Sequence, residues 1–421
     1  MTPPKISPWR SRLRRVVGAI GPGVTTGAAD DDPSGIATYT IAGAQFGTAL
    51  LWTAWFTWPL MSAVQMMCAR IGMVTEQGLA GALRQKFPRW LVALAAFALL
   101  IANAINIAAD LAGMADAAHM LGAGPVSLWV PVFGVSITLA IVRLRYAQIA
   151  AVLKWLTLVL FAYVVAAFLI EPDWREILHA VLTPAWPRDR ATWTMLVAIL
   201  GTTISPYLFF WQAGQEVEEQ NAMGRRMRAR LPEDEVVDRR IDITLGTLFS
   251  NIVMFFIMLT AALTLHRAGI TSIATTHDAA TALRPLTDAF AYWLFTLGLV
   301  GTGLLAIPTL AGASAYAFAE TFSWTYGLDK KLHQARAFYA VLTLATGAGI
   351  AMDFVGIKPV QALYCSAVIN GVLAPILLLG IFLVAIDRKI MRDQRSMPVT
   401  LGAVAIAIVA MFAAGGAMLF L

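Results

Sequence analysis

Charge is scarce in this chain. Only 13% of its 421 residues are Asp, Glu, Lys or Arg and 59% are hydrophobic, against roughly 25% charged in an ordinary soluble domain, so a soluble globular protein is excluded. Cysteine is scarcer still. The two cysteines, Cys68 and Cys365, both fall inside apolar runs; they read as free, buried thiols and allow no disulfide framework. The five histidines, His119, His179, His266, His277 and His333, lie near the ends of apolar runs or between them, which leaves no imidazole cluster for a metal. No nucleophile–base pair and no metal-hydrolase motif is present, which argues against a membrane enzyme and calls for no cofactor. The net charge of +6 marks no nucleic-acid surface, because the basic residues sit in short segments between the runs. The cluster Arg225–Arg230 reads as a topology signal beside anionic lipid.

Long apolar runs are what the chain has instead. Eleven are long enough to span a bilayer, at about 20 residues each: 16–41, 47–73, 91–121, 127–144, 147–170, 192–215, 243–265, 287–323, 336–353, 360–386 and 398–420. Of the 31 Lys and Arg, only six (Arg175, Arg188, Arg190, Arg267, Arg284 and Lys358) fall on the side opposite the N-terminus. The positive-inside rule then places the N-terminus in the cytoplasm, the C-terminus outside, and the protein in the cell (inner) membrane. The basic stretch 1–15 resembles a signal-peptide n-region, but the run behind it is too long and too acidic for cleavage, so it reads as a retained cytoplasmic segment. The outer loop 171–191, with Pro172, Pro184 and Pro187, separates five spans (16–170) from five more (192–386); 398–421 is a peripheral eleventh span.

The first run is interrupted at Gly21-Pro22-Gly23-Val24-Thr25-Thr26-Gly27-Ala28-Ala29-Asp30-Asp31-Asp32-Pro33-Ser34-Gly35. Each charge in hydrocarbon costs about 2.5–3.5 kcal/mol even on the lenient insertion scale, and Pro and Gly break the helix. Such a break is tolerable only when buried in protein or lining a wet cavity, so it reads as the unwound middle of a discontinuous span. The sixth run breaks at Gly201-Thr202-Thr203-Ile204-Ser205-Pro206-Tyr207. Breaks in spans one and six suggest two inverted five-helix repeats with a substrate site between them. Asn103, Asn106 and Asp110 follow i, i+3, i+7 spacing and share a helical face, as interhelical hydrogen bonders or as a polar wall on an ion or proton path; Asp116 lies near the outer end. Gln212, Glu216, Glu218 and Glu219 read as a solvated helix end, with an acidic vestibule as the alternative, and 217–241 as a solvated loop with helix as an open alternative. Asn370-Gly371 with Pro375 reads as a weaker third interruption.

The text Gly21-Pro22-Gly23, Asp32-Pro33, Ala42-Gly43-Ala44-Gln45-Phe46-Gly47, Leu51-Trp52 and Ala69-Arg70-Ile71-Gly72 closely resembles the first two helices of the Nramp metal-ion transporters, and the resemblance runs at lower density through the tenth span. It implies an all-α, LeuT-like membrane fold of two inverted five-helix repeats with helices 1 and 6 broken at mid-membrane. The departures are specific. Where the family has Asp-Pro-Gly-Asn, this chain has Asp32-Pro33-Ser34-Gly35; where it has Met-Pro-His, this chain has Ser205-Pro206-Tyr207. The third-helix Asp-x-x-Glu pair reads Asp110-Leu111-Ala112-Gly113, and Gln212 replaces a second sixth-helix histidine. This pattern resembles the Nramp-related magnesium transporters.

The resemblance implies Asp32 as the one charged metal ligand, the carbonyls of Ala29 and Thr202 as further donors, and the Ser205 hydroxyl and Gly35 backbone as pocket lining. Asn370, Asp110, Asn106, Asp30, Asp31, Tyr207 and Gln212 are candidates for the pocket or its pathway. Chemistry points the same way. An oxygen-only site suits Mg²⁺, Ca²⁺ or Mn²⁺, whereas a thioether selects softer metals. Mg²⁺ usually keeps several waters, and a pocket without Met and Asn side chains has room for a partly hydrated ion. The expectation is therefore a divalent-cation importer for Mg²⁺, and also Mn²⁺, working by alternating access with weak or no proton coupling. Its partners are the ion and the bilayer, with no obligate protein partner. The competing readings are a proton-coupled Mn²⁺ or transition-metal symporter of the usual Nramp type and, more remotely, a sodium-coupled amino-acid transporter.

Overall fold

The computed structural model describes residues 22–122, 124–144, 156–222, 231–273, 275–283, 285, 288–354 and 358–420. The N-terminal segment 1–15, Gly21, the start of the fifth apolar run, Arg284 and the Arg225–Arg230 cluster lie outside the described residues. Among those described there is no strand; the chain is helical throughout.

The first predicted span is two helices, α1 (Pro22–Asp30) and α2 (Pro33–Phe46), parted at Asp31-Asp32. Next come α3 (Trp52–Thr75), the short α4 (Leu79–Arg84), α5 (Arg89–Met120) and α6 (Val126–Arg143). A 3-10 turn, Leu156–Leu160, leads into α7 (Phe161–Leu169), and α8 (Trp174–Leu182) lies in the predicted outer loop. The sixth span is again two helices, α9 (Arg190–Thr203) and α10 (Pro206–Ala222). The rest are α11 (Glu233–Ala261, extended by a π turn to His266), α12 (Thr276–Ala280), α13 (Asp288–Phe322), α14 (Arg336–Asp353), α15 (Pro359–Ala385) and α16 (Pro398–Phe420).

Seven helices among the described residues are long and apolar enough to cross a membrane. The difference from the eleven runs has physical causes. Span one is described only from Pro22 and carries three adjacent aspartates. Helix α3 has the length but carries Thr, Gln65 and Arg70 along a largely buried surface. The apolar stretches 158–169 and 336–352 are short. Leu94, Phe97 and Ile101 on α5 and Ile406, Val409 and Phe412 on α16 are exposed, the belt expected where side chains meet lipid rather than water. Helix α16 is buried over only 28% of its apolar window.

Three expectations need correction. Helix α15 runs without interruption through Asn370-Gly371 and Pro375; a proline removes a single donor, and neighbouring helices hold the rod together. Cys68 is buried but Cys365 is exposed, because it lies on the outward side of α15. Glu216 does not belong to a solvated helix end: it is buried. The described parts of 217–241 take the helical alternative, split between α10 and α11.

The interior holds two large apolar clusters. One includes Ala29, Leu200, Tyr207 and Trp211; the other includes Ile36, Tyr39, Ile199 and Met254. The two helix breaks fall where these clusters meet. Helix α1 packs along α11, α9 along α15, and α5 against α13, α14 and α15.

At the rim, Lys86 Nζ lies 2.7 Å from Asp387 Oδ2 and joins the turn before α5 to the segment after α15. The Lys86 ammonium, with the backbone amides of Ile390 and Lys389, holds the Asp387 carboxyl below the usual aspartate range. A depressed folded-state pKa contributes stability above the ordinary aspartate value and loses it as pH falls through the lowered one. Thermal unfolding in detergent between pH 6 and pH 3 is therefore expected to fall more steeply for the wild-type chain than for Lys86→Met; equal slopes would remove this pair from the acid response.

Candidate functional site

Asp32 stands between α1 and α2 in an extended conformation (φ −70°, ψ 168°) and caps α2. Its Oδ1 accepts a 2.6 Å hydrogen bond from the Gly35 amide, the usual reach of an aspartate N-cap to a first-turn donor. Pro33 at the first helical position loses no needed donor. The second oxygen, Oδ2, accepts from Asn106 Nδ2 on α5 at 3.1 Å. Asn106 Oδ1 accepts in turn from Ser366 Oγ on α15 at 2.8 Å, and Ser34 Oγ donates to the Leu363 carbonyl at 3.1 Å. Helices α2, α5 and α15 thus fix the direction of one carboxylate.

The two breaks touch each other at Gly35. A Cβ placed there would lie 3.1 Å from Thr202 Oγ1, 3.3 Å from Asp32 Oδ1 and 3.4 Å from the Asp30 carbonyl. Only a residue without a side chain keeps this corner open. Tyr207 crosses between the breaks, its hydroxyl donating to the Ala29 carbonyl at 3.1 Å. Ser205 Oγ lies 2.6 Å from the Gly201 carbonyl and 2.7 Å from the Thr202 carbonyl. Its proton is turned back into α9. The C-terminal ends of α1 and α9, with carbonyls that accept from the Tyr207 and Ser205 hydroxyls instead of from helix amides and with negative dipole ends, converge beside Asp32. Ala29, Thr202, Ser205, Asp32 and Tyr207 are all at most 2% exposed, so the site is sealed from solvent.

Other carboxylates surround it. Asp110, one turn beyond Asn106, is fully buried. Asp30 and Asp31 share the Ser250 hydroxyl, at 2.6 and 3.1 Å, and each keeps one buried oxygen without a partner. Asn370 is buried one turn after Ser366 on α15, its Oδ1 unpartnered. Among the described residues, no three His, Cys, Asp or Glu side chains are disposed to hold a metal together.

The polar face of α5 divides. Asn106 and Asp110 turn to the break, while Asn103 donates to the Leu310 carbonyl and to Ser314 on α13, both at 2.9 Å. Gln212 lies elsewhere: its Nε2 donates to Glu216 at 2.7 Å, about two turns down α10 from Ser205. Sequence reasoning missed Ser366 and the bridging role of Ser250, since a lone serine in an apolar run carries no signal of its partner.

The Nramp model, "Natural resistance-associated macrophage protein-like", matches residues 23–421. The chain belongs to the Nramp family. This Nramp protein is 25% identical over 406 residues to the divalent metal cation transporter MntH of Aeromonas hydrophila, with 90% of each chain covered. Its fold is similar to that of the Eremococcus coleocola manganese transporter, with a TM-score of 0.77 at 17% identity, over 98% of this chain and 87% of the other. Mhp1, a nucleobase-cation-symport-1 family transporter in a closed conformation, matches with a TM-score of 0.54 at 13% identity, over 95% and 92% of the two chains. The Nramp chain has the LeuT-like architecture, and it is a multi-pass membrane protein.

Proposed function

We propose that this protein carries a divalent metal cation across the membrane, binding it at Asp32 between the two helix breaks. One observation carries the reading. Asp30, Asp31, Asp32 and Asp110 are all buried, and among the described residues none is paired with a basic side chain. Burying an ionised carboxylate without compensation costs several kcal/mol even after relaxation. Four such groups around two converging carbonyl ends describe a place that wants positive charge.

The donors are oxygen: the carboxylate, the carbonyls of Ala29 and Thr202, and the Ser205 hydroxyl. Such a set suits Mn²⁺ and Mg²⁺ and offers soft metals nothing. The names of the relatives speak for manganese; the absence of sulfur and imidazole speaks for extending the range to partly hydrated Mg²⁺. Alternation of the repeat 16–170 against the repeat 192–386 opens the site to each side in turn. Two charges moving down 100 mV gain about 4.6 kcal/mol, so import proceeds on membrane potential with weak or no proton coupling.

A second reading, a proton-coupled manganese symporter, shares the manganese in the relatives' names and draws its proton coupling from Asp110, a buried carboxyl on the same face of α5 as Asn106. Purified protein in proteoliposomes at fixed negative potential separates the two. Uptake of Mn²⁺ and Mg²⁺ without Cd²⁺, and without stoichiometric acidification of the lumen, is the expected result. Strong Cd²⁺ entry accompanied by protons would replace it with the second reading.

A further inference from the structure

Below the site, a second polar cluster ties three helices together through one side chain. Arg239, on the first turns of α11, is 11% exposed at its side chain. Its Nε lies 2.8 Å from Glu216 Oε1 on α10, and its Nη1 2.9 Å from Asp242 Oδ2 on its own helix. Its Nη2 pairs with Glu219 on α10. Asp242 Oδ2 also accepts the Gly23 amide at 2.7 Å, so the chain of contacts reaches the first turn of α1. Around that contact α1 lies backbone to backbone on α11: a Cβ on Gly23 would stand 2.7 Å from the Ile243 amide, and one on Gly27 would stand 2.4 Å from the Gly246 carbonyl.

The two helices joined in this way, α1 and α10, are the halves of spans one and six on the same side of the breaks. One guanidinium contacts three carboxylates, and the first free amide of α1 is satisfied by one of those carboxylates. No comparable ionic tie joins α2 to α9 among the described residues; there the link is the neutral pair Tyr39 and Thr203, at 3.2 Å. The seal is therefore asymmetric, ionic on the α1–α10 side and neutral on the other.

We propose that Arg239 is the latch of the gate on the α1–α10 side, a positioning residue that acts on the site through Asp242, Gly23 and α1. This deepens the transport reading and rests on it for the purpose of opening. Breaking the latch frees α1 to leave α11 and uncovers Asp32 from that side, shifting the population of the two states.

The test reads the gate directly. Thr26, buried on α1, is changed to Cys in a Cys365→Ser background, and the protein is placed in proteoliposomes. A membrane-impermeant maleimide is applied on the side where α1 begins, and divalent-cation uptake is measured in the same vesicles. Arg239→Gln is expected to raise the labelling rate about tenfold and to lower the rate of uptake while Mn²⁺ binding at equilibrium persists. If Arg239→Gln does not fold, the double change Glu219→Ala with Asp242→Ala cuts the tie to Gly23 while keeping Arg239 paired with Glu216, and the same rise is expected. Unchanged labelling in a folded variant overturns the latch. Faster labelling of the variant, with no divalent-cation uptake by either the variant or the wild type, supports the latch and instead sinks the transport reading.

Discussion

Asp32→Asn is expected to abolish divalent-cation uptake while leaving a folded protein. Asparagine caps helices as well as aspartate does, so the bond to the Gly35 amide and the start of α2 survive. The bond from Asn106 is weakened but the side chain keeps its volume. What disappears is the one negative charge that points between the carbonyl ends of α1 and α9. A hydrogen bond to a charged group is worth about 1.5–3 kcal/mol. A direct contact between a dication and a carboxylate exceeds that, so uptake of Mn²⁺ and Mg²⁺ should fall by roughly a hundredfold or more. Asp32→Ala should behave the same way in transport and in addition lose about 1 kcal/mol of stability with the cap. Uptake assays on both variants, with size-exclusion profiles and melting curves as controls, give the answer. Wild-type uptake by Asp32→Asn would show that the charge lies on Asp30, Asp31 or Asp110 instead.

The breaks were legible in the sequence because three adjacent aspartates and a Pro-Gly context cannot lie in an unbroken span. The structure divides the first run at Asp31-Asp32 and the sixth before Pro206, inside the stretches marked for it. The same logic overreached on α15, where Asn370-Gly371 and Pro375 carry a similar composition but no charge, and the helix continues. The partners of buried groups were not legible. Nothing in a one-dimensional pattern says that Ser250 will reach both Asp30 and Asp31, or that Ser366 will hold Asn106 against Asp32, because these contacts span 220 and 260 residues of sequence. The acidic end of α10 failed for the same reason. Glu216 and Glu219 look solvated until Arg239, twenty residues downstream of Glu219, is folded back onto them.

Ser205→Met is expected to turn the ion preference toward soft metals. Ser205 marks the sixth-span break and is 1% exposed, with its hydroxyl proton spent on the carbonyls of Gly201 and Thr202. Methionine is unbranched and adaptable, and its thioether adds a soft donor to a shell that otherwise contains only oxygen. The same change frees two carbonyls and crowds the pocket, at a cost of about 1–3 kcal/mol for inserting bulk into a packed interior. A partly hydrated Mg²⁺ loses room for its waters and gains nothing from sulfur; Cd²⁺ sheds water readily and gains a ligand. The ratio of Cd²⁺ to Mg²⁺ uptake should therefore rise by roughly tenfold or more, about the effect of 1.4 kcal/mol of discrimination, with Mn²⁺ moving least. Ser205→Ala is the necessary comparison. It frees the same carbonyls without supplying sulfur, so its Cd²⁺ to Mg²⁺ ratio should stay near that of the wild type. A folded Ser205→Met protein that carries Mn²⁺ with an unaltered ratio would mean that this side chain does not face the ion, and the donor set would have to be rebuilt from Asp32 and the carbonyls alone.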